Sequence, residues 1–355
     1  MEVLAASVTP PRRADPTRVR ERLDELTKPP GSLGRLEELA LRIAMIHGDP
    51  PPVLGPGTVF VLAGDHGVAR EGVSAYPPEV TGQMCRVLEA GEAAVQAVAG
   101  AVSARVVAAD LGVAAPLPEG GVVRHRKVRS GSRNLRTEAA LTREEVRKAV
   151  AAGAELAEAE GARSGMLALG EIGIGNTTAA AAITSALTGA PPEEVVGPGS
   201  GLGPEAVSRK RAVVTEAVER VGPSADPLEV LGQLGGLEIA GLVGVALGGA
   251  KAGKAVVTDG VIATAAALTA VRVCPPVREY LFASHRSPEP AHGHLLEALN
   301  LSPLFELGMR LGEGTGSALA FPFLEASSAI LREMATFEEG GVAKGPMARK
   351  PGASP

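Results

Sequence analysis

Short apolar runs that end at polar or glycine-rich residues recur along this chain, and such runs are typical of strands buried on both faces. Four of them lie at residues 58–63, 103–109, 165–169 and 256–258. Alanine-rich stretches of helical character separate them, at residues 90–100, 142–160, 177–188 and 205–221. Strands that alternate with helices predict an α/β fold, in which a mostly parallel β-sheet carries helices on both faces in a Rossmann-like, three-layer arrangement.

The polar residues that follow these runs are expected to meet at one edge of the sheet. Asp65 and His66 follow the first run, Asp110 the second, Glu171 the third and Asp259 the fourth. Because ligands bind at the carboxyl ends of the strands in open parallel sheets, this placement predicts a site at that edge.

The flanks of the predicted sheet have a different pattern. Residues 17–47 show helical spacing that is interrupted by proline and glycine at 28–31, which predicts two helices joined by a loop. The apolar runs at 239–250 and 260–271 are expected to be buried helices or strands. Residues 338–355 combine glycine, proline and charge without periodicity, and are predicted to be a disordered tail.

Composition indicates a globular chain with a low affinity for polyanions. It has 355 residues, of which 45% are hydrophobic and 21% charged, and its net charge is −5. Aromatic residues make up only 2%, which disfavours stacking on single-stranded nucleic acid, so no nucleic-acid partner is expected. The densest basic run, at 124–129, is interpreted as a solvated strand or loop.

Cysteine usage and the absence of a leader predict a cytoplasmic protein. Cys85 and Cys274 are far apart and form no CxxC motif. The N-terminal residues lack the basic start and apolar core of a signal peptide. The uncharged segment at 172–192 contains Asn, Thr and Ser, so no membrane span is expected.

The segment 170–178, GEIGIGNTT, places three glycines between a predicted strand and a predicted helix. Free backbone N–H groups at a helix N-terminus attract anions, so this segment is a candidate site for a phosphate or another ligand. It lacks the spacing of GxxxxGK[ST] and of GxGxxG. Asn176 and Thr177 could instead be simple helix caps.

A second glycine-rich segment, GPGSGL at 197–202, precedes a basic stretch that contains Lys210. A glycine nest with a nearby lysine is a possible phosphate cradle, and two such loops at one sheet edge suggest a phosphorylated substrate. The alternative is a surface loop followed by a basic helix face.

Histidines next to carboxylates invite acid–base or metal hypotheses at two places. Asp65 and His66 could be catalytic, could line a binding site, or could serve a turn. His285, His292 and His294 lie within ten residues but lack HExxH spacing. Hydrogen-bonded histidines are the preferred interpretation, and no metal is expected.

Glu313 lies between glycines in the segment 309–316, MRLGEGTG. A carboxylate in a tight glycine turn is well placed to accept a proton from a bound substrate. The alternative for the segment on its own is a surface turn with a solvated glutamate.

Eight motifs together resemble one family, the nicotinate-nucleotide–dimethylbenzimidazole phosphoribosyltransferases of cobalamin lower-ligand synthesis. The resemblance extends from about residue 26 to 337, and the order and spacing of the motifs make it specific. The motifs are LTKPPGSLGRLEELA, GDHGVAREGVSAYPPEVTGQM, GEIGIGNTTAAAAI, GPGSGL, GGLEIAGLVG, DGVIATAAAL, ASHRSPEPAH and MRLGEGTGSALA. The chain differs from the family pattern at Ser200 and Ala291, where the family usually has Thr and Gly.

The resemblance implies that phosphoribose moves from nicotinate mononucleotide to 5,6-dimethylbenzimidazole or a related azole, without a metal or cofactor. It also implies a homodimer with a smaller helical domain. The expected division of the chain is 1–50, N-terminal helices of the small domain; 51–300, an α/β nucleotide- and base-binding domain; 301–337, a catalytic loop and a helix returning to the small domain; and 338–355, the tail.

The resemblance also implies roles for individual residues. Glu313 matches the family's general base and Glu171 its second carboxylate. The residues that match the base-binding segment are Ser74, Tyr76, Gln83, Met84, Met309 and Leu311. Those that match the nucleotide-phosphate side are Gly173, Gly175, Asn176, Ser200, Gly201 and Lys210. Two other functions use similar residues: a nucleoside hydrolase or phosphorylase, and a non-catalytic nucleotide- or azole-binding module.

Overall fold

The computed structural model describes residues 2–118, 120–223 and 226–343, and its centre is a six-stranded sheet. Along the sheet the strands are ordered β3-β2-β1-β4-β5-β6, and every hydrogen-bonded pair among them is parallel. The strands are β1 Thr58–Gly64, β2 Arg105–Gly112, β3 Arg124–His125, β4 Met166–Ile172, β5 Ala255–Thr258 and β6 Leu281–Ala283. The predicted α/β fold with a parallel sheet is confirmed.

Fourteen α-helices are found in the described residues, along with 3-10 segments at Gly67–Glu71 and Pro275–Tyr280. The helices are α1 Glu2–Ala6, α2 Pro16–Glu25, α3 Arg35–His47, α4 Val80–Ala90, α5 Ala94–Ala101, α6 Arg143–Gly161, α7 Asn176–Thr188, α8 Pro192–Val195, α9 Pro204–Val221, α10 Pro227–Leu234, α11 Leu237–Lys251, α12 Val261–Val273, α13 Pro290–Leu299 and α14 Thr315–Glu333.

Alternating side chains of β1 pack against helices on opposite faces of the sheet, as a strand buried on both sides requires. Leu62 approaches α11 at Gly241, and Phe60 approaches the end of α6 at Gly161. Val59 instead lies against Gly314, at the start of α14. All seven residues of β1 are buried, which explains why its sequence is a continuous apolar run.

Helices α6 and α11 approach each other through glycine. A Cβ atom at Gly153 would collide with the carbonyl group of Gly241, and one at Gly244 would collide with the carbonyl of Val150. The predicted buried run at 239–250 is therefore a helix, and its glycines permit close backbone packing against α6 and the sheet.

The start of the helix predicted at 90–100 was wrong. Gly91 adopts a left-handed conformation, with φ 79°, and ends α4, while α5 begins only at Ala94. Strand β6 has three residues and was not predicted, because its apolar signal is too short. The basic run at 124–129 contains the exposed strand β3, which confirms its interpretation as a solvated strand or loop.

A second, smaller hydrophobic cluster joins α2 and α3 to the end of α14. Its buried members are Val19, Leu23, Leu26, Ala40, Ala44, Ile330 and Leu331. The proposed division into domains stays a prediction. Residues 344–355 of the predicted tail lie outside the described residues. Among the helices that the structure describes, none is both long and apolar enough to cross a membrane.

Candidate active site

A cavity of about 690 Å³ opens at the carboxyl ends of the central strands, where the sequence predicted a site. Its lining comes from the segments after β1, β4, β5 and β6, the glycine-rich loop before α9 and the turn before α14. The lining residues are Ser74, Tyr76, Val80, Met84, Glu171, Ile172, Gly173, Ile174, Gly175, Asn176, Thr177, Gly199, Ser200, Gly260, Val261, Ile262, His285, Ser287, Glu289, Arg310, Leu311, Gly312 and Glu313.

Glu171 lies near the end of β4, with its side chain buried at the cavity wall. The side-chain amide of Asn176 donates a hydrogen bond to its Oε2. Burial raises the pKa of Glu171 well above its ordinary value, and the negative charges of Glu238, Asp259 and Glu313 add to this effect, while the Asn176 hydrogen bond opposes it. The free site therefore disfavours the ionised form of Glu171.

Glu313 occupies the centre of a left-handed turn. Its φ is 61°, between Gly312 at 87° and Gly314 at 86°, and α14 begins at the residue after Gly314. A non-glycine residue in this region is uncommon and is held there by its surroundings. The turn packs directly on β4, since a Cβ atom at Gly170 would collide with the carbonyl group of Glu313.

The Glu313 carboxyl is buried and incompletely hydrogen-bonded. Its Oε2 has no hydrogen-bond partner among the described residues. Burial raises the pKa of Glu313, the Val95 amide lowers it and the negative charge of Asp259 raises it. A buried carboxyl oxygen without a partner, at the wall of a cavity, is free to interact with a ligand.

Asp259 holds the same turn through hydrogen bonds to the backbone that follows Glu313. It follows β5, is buried, and accepts hydrogen bonds from the amides of Gly314, at 3.3 Å, and Ser317, at 2.9 Å. Burial raises its pKa, and His285, whose Nδ1 lies 3.9 Å from Oδ1, lowers it.

The start of α7 presents backbone donors to the cavity. Gly175, with φ 97°, is the N-cap, and the hydroxyl of Thr81 accepts the Ile174 amide. In the described part of the chain the amides of Gly175 and Thr177 have no acceptor. Unpaired amides at a helix N-terminus form an anion site, which supports the anion hypothesis for this segment.

Lys210 lies behind the second glycine-rich loop. Its Nζ donates to the Thr177 hydroxyl, at 2.9 Å, and to the Gly197 carbonyl, at 3.2 Å. Burial lowers its pKa to about 8, although Glu289 raises it. The amide of Gly199 donates to Glu289, so this loop has fewer free amides than the nest hypothesis assumed.

Ten of the fourteen predicted site residues line the cavity. Ser74, Tyr76, Met84 and Leu311 are among them, and their base-binding role stays a prediction. The Ser200 hydroxyl accepts a hydrogen bond from the Ala75 amide at 3.3 Å, which joins the glycine-rich loop before α9 to the segment after β1. The predicted residues outside the lining, among those described, are Gln83, Met309, Gly201 and Lys210.

The histidines flank the cavity without converging on one point. His66 is buried behind Gly173 and bonds to Glu238 at 2.6 Å. His285 lines the cavity, whereas His292 accepts the Ser287 amide through Nδ1. Burial lowers the pKa of His292 to about 3, with help from the charges of His285 and Arg286. The described residues contain no cluster able to hold a metal ion.

Sequence reasoning missed several residues around the cavity. Arg310 is the single Arg or Lys side chain in the described lining, and Glu289 and Ser287 come from the segment that was interpreted only through its histidines. Asp259 and Glu238 act from behind the wall. Their positions at the ends of predicted elements were visible, but their partners are remote in sequence.

Comparison with known proteins establishes the class of this chain. A phosphoribosyltransferase family model matches residues 8–342. A relative from Thermus thermophilus is 51% identical over 92% of this chain and 97% of its own length, and one from Desulforamulus reducens is 48% identical over 97% and 100%. Both are named nicotinate-nucleotide–dimethylbenzimidazole phosphoribosyltransferase. The crystal structure of CobT from Thermus thermophilus superimposes with a TM-score of 0.91 at 49% identity, covering 93% of this chain and 99% of that one.

The chain belongs to the nicotinate-nucleotide–dimethylbenzimidazole phosphoribosyltransferase family. The resemblance found in the sequence is confirmed, and so is the α/β fold that it implied.

Proposed function

We propose that this chain transfers phosphoribose from nicotinate mononucleotide to 5,6-dimethylbenzimidazole, yielding α-ribazole 5′-phosphate and nicotinate, with Glu313 as general base. The observation that supports this role is that Glu313 lines the cavity and its buried Oε2 has no hydrogen-bond partner among the described residues. A base needs an oxygen that is not already occupied by the protein.

The proposed chemistry requires one proton transfer. Glu313 accepts the ring N–H proton of the benzimidazole as the other ring nitrogen attacks the anomeric carbon of the ribose. The bond from that carbon to nicotinate breaks, and its electron pair returns to the pyridine nitrogen. Because the ring leaves uncharged at nitrogen, the departure needs no strong acid, and attack opposite the leaving group inverts the anomeric carbon.

The carboxyl groups suit the charge of this substrate. The nicotinate ring carries a positive charge while it is bonded to ribose, and positive charge develops on the sugar as the bond breaks. Glu171 and Glu313 lie in the cavity wall, and Asp259 lies behind it. A cation entering this site lowers the pKa of Glu171 and favours its ionised form, which stabilises the developing charge.

The other side of the cavity suits the phosphate. The free amides of Gly175 and Thr177 lie at the N-terminus of α7, and Lys210 bonds to the Thr177 hydroxyl behind them. The apolar side near Met84 and Leu311 suits a flat methylated base with few polar anchors.

The proposal also includes a cytoplasmic location and a homodimer. The molar mass in solution is the direct measurement of the homodimer.

Product analysis tests the proposal. The purified protein is incubated with nicotinate mononucleotide and a panel of azoles, and the products are separated and identified by mass spectrometry. We expect a ribazole phosphate and one equivalent of nicotinate. Release of ribose 5-phosphate, or attack by added phosphate, without an azole product would instead identify a hydrolase or phosphorylase. Binding without any product would identify a binding module.

A further inference from the structure

We propose that Asp259 is a positioning residue for the general base: its carboxylate holds the turn that places Glu313 in the cavity wall. The inference rests on the proposed function, because it assigns a task to Asp259 only if Glu313 performs the proton transfer.

Asp259 contacts the turn on its C-terminal side. Its two carboxylate oxygens accept separate amides, Oδ2 from Gly314 and Oδ1 from Ser317. Gly314 directly follows Glu313, so one of these bonds fixes the peptide that carries the base. The side chain of Asp259 is buried, which makes an exchange of these bonds for water costly.

The segment itself holds only the carbonyl side of the turn, where the amide and the hydroxyl of Thr315 donate to the Gly312 carbonyl at 3.1 and 2.9 Å. The Gly314 amide has its acceptor in Asp259 instead. Glu313 and both adjacent glycines have positive φ, and α14 has no side-chain cap from its N-cap residue Gly314. Turns of this kind persist when surrounding structure fixes them. Asp259 therefore replaces the local cap that the glycine cannot supply.

Packing keeps the Asp259 carboxylate in place. A Cβ atom at Gly316 would lie 2.8 Å from Asp259 Oδ1 and would collide with the His285 ring. The His285 Nδ1 lies 3.0 Å from the Ser284 hydroxyl, and its ring stacks on Phe305 with centroids 6.1 Å apart. Asp259, His285 and the first turn of α14 thus form one close-packed unit.

The charge of Asp259 gives its role a separate signature. Titratable groups face it from three neighbouring elements: Glu171 from β4, His285 from the segment after β6 and Glu313 from the turn, with Glu238 of α11 beyond Glu171. The negative charge of Asp259 raises the pKa of both Glu171 and Glu313. Its removal should therefore lower both pKa values, an effect that a purely structural cap would not have.

The test is the substitution Asp259→Asn in the full chain. An amide keeps the shape but turns an N–H group toward one of the two backbone donors, so the turn loses its fixed position. We expect kcat to fall by up to roughly 10²-fold, the scale of a displaced catalytic group, with a small change in KM. We also expect the acidic limb of the kcat–pH profile to move to lower pH.

Asp110→Asn is the matched control. Asp110 is also buried at the end of a strand and accepts a backbone amide, from Val113 at 2.7 Å, but it does not contact the turn. This variant should keep the wild-type pH profile. If Asp259→Asn does not fold, Asp259→Ser removes the charge and retains a hydroxyl acceptor, and the same shift of the acidic limb is expected.

A folded Asp259→Asn protein with wild-type kcat and an unmoved acidic limb would overturn the inference. In that case an inactive Glu313→Gln protein would leave the proposed function intact. Turnover that survives Glu313→Gln would instead remove the assigned base, whatever Asp259→Asn shows.

Discussion

Asn176 donates its side-chain amide to Glu171, five residues earlier, across the turn that joins β4 to α7. The first residue of a helix commonly shares in capping that helix, but here its side chain serves the buried carboxyl group instead. The start of α7, where we propose that the phosphate binds, and the carboxyl group of β4 are therefore connected by one hydrogen bond.

Glu171→Gln is expected to lose activity and gain stability at neutral pH. The pKa of Glu171 is raised in the folded state, so its ionisation opposes folding at pH values above the unfolded pKa, near 4.5. Glutamine removes this cost and can still accept the Asn176 hydrogen bond. We expect a rise in Tm of roughly 2–4 °C, the size that about 1 kcal/mol gives in larger domains, measured by calorimetry at pH 7.

The gain from Glu171→Gln should disappear as the pH falls below the unfolded pKa, because Glu171 is then protonated in both states. Glu145→Gln is a control of opposite sign. Burial raises the pKa of Glu145, but its bonds with Arg133 and Thr142 lower it more and bring it to about 2. Because the ionised Glu145 stabilises the fold, its replacement by glutamine should lower Tm at neutral pH. Equal Tm values for wild type and Glu171→Gln at pH 7 would contradict the linkage argument.

Glu313→Gln is expected to reduce kcat by roughly two orders of magnitude or more, the scale of general-base removal, with substrate binding largely retained. Burial raises the pKa of Glu313 in the free protein, so the acidic limb of the wild-type kcat/KM profile should lie above the ordinary glutamate value of 4.5. Glu306→Gln, at an exposed glutamate in the preceding loop, should behave as wild type. An acidic limb at or below the ordinary value would contradict this assignment.

Arg310→Gln is expected to weaken the binding of nicotinate mononucleotide more than the binding of the azole. Among the described lining residues it is the single Arg or Lys, and the mononucleotide is the anionic substrate. We expect its KM to rise about tenfold, the effect of about 1.4 kcal/mol, with little change in the azole KM. Steady-state kinetics with each substrate varied in turn provides the measurement. Arg286→Gln removes an exposed charge outside the lining and serves as the control.

Lys210→Met should also raise the KM for the mononucleotide, because Lys210 aligns Thr177 and the Gly197 loop through its two hydrogen bonds. The expected increase is about tenfold or more, the cost of a lost charge-assisted bond of about 1.5–3 kcal/mol. Lys148→Met, at an exposed lysine of α6, provides the comparison. An unchanged KM would assign Lys210 to the packing of α9 alone.

The sheet could be predicted because β1 and β4 are buried throughout and begin with apolar runs that lead into polar residues. Strand β6 could not, because three residues after a 3-10 segment carry no periodic signal. Two of the cavity-lining glutamates also followed from motifs, Glu171 from a strand end and Glu313 from a glycine turn, whereas Glu289 did not. The role of Asp259 did not, since its hydrogen bonds reach 55 and 58 residues ahead. Local patterns encode elements, whereas such contacts exist only after the elements pack.

The turn at 312–314 also has a consequence for folding. It is assembled from the end of β4, the residue after β5 and the start of α14, which are widely separated along the chain. No fragment that lacks one of these segments contains the aligned base. During refolding, helix content can therefore return before turnover does, and recovered catalysis is the stricter measure of a completely native chain.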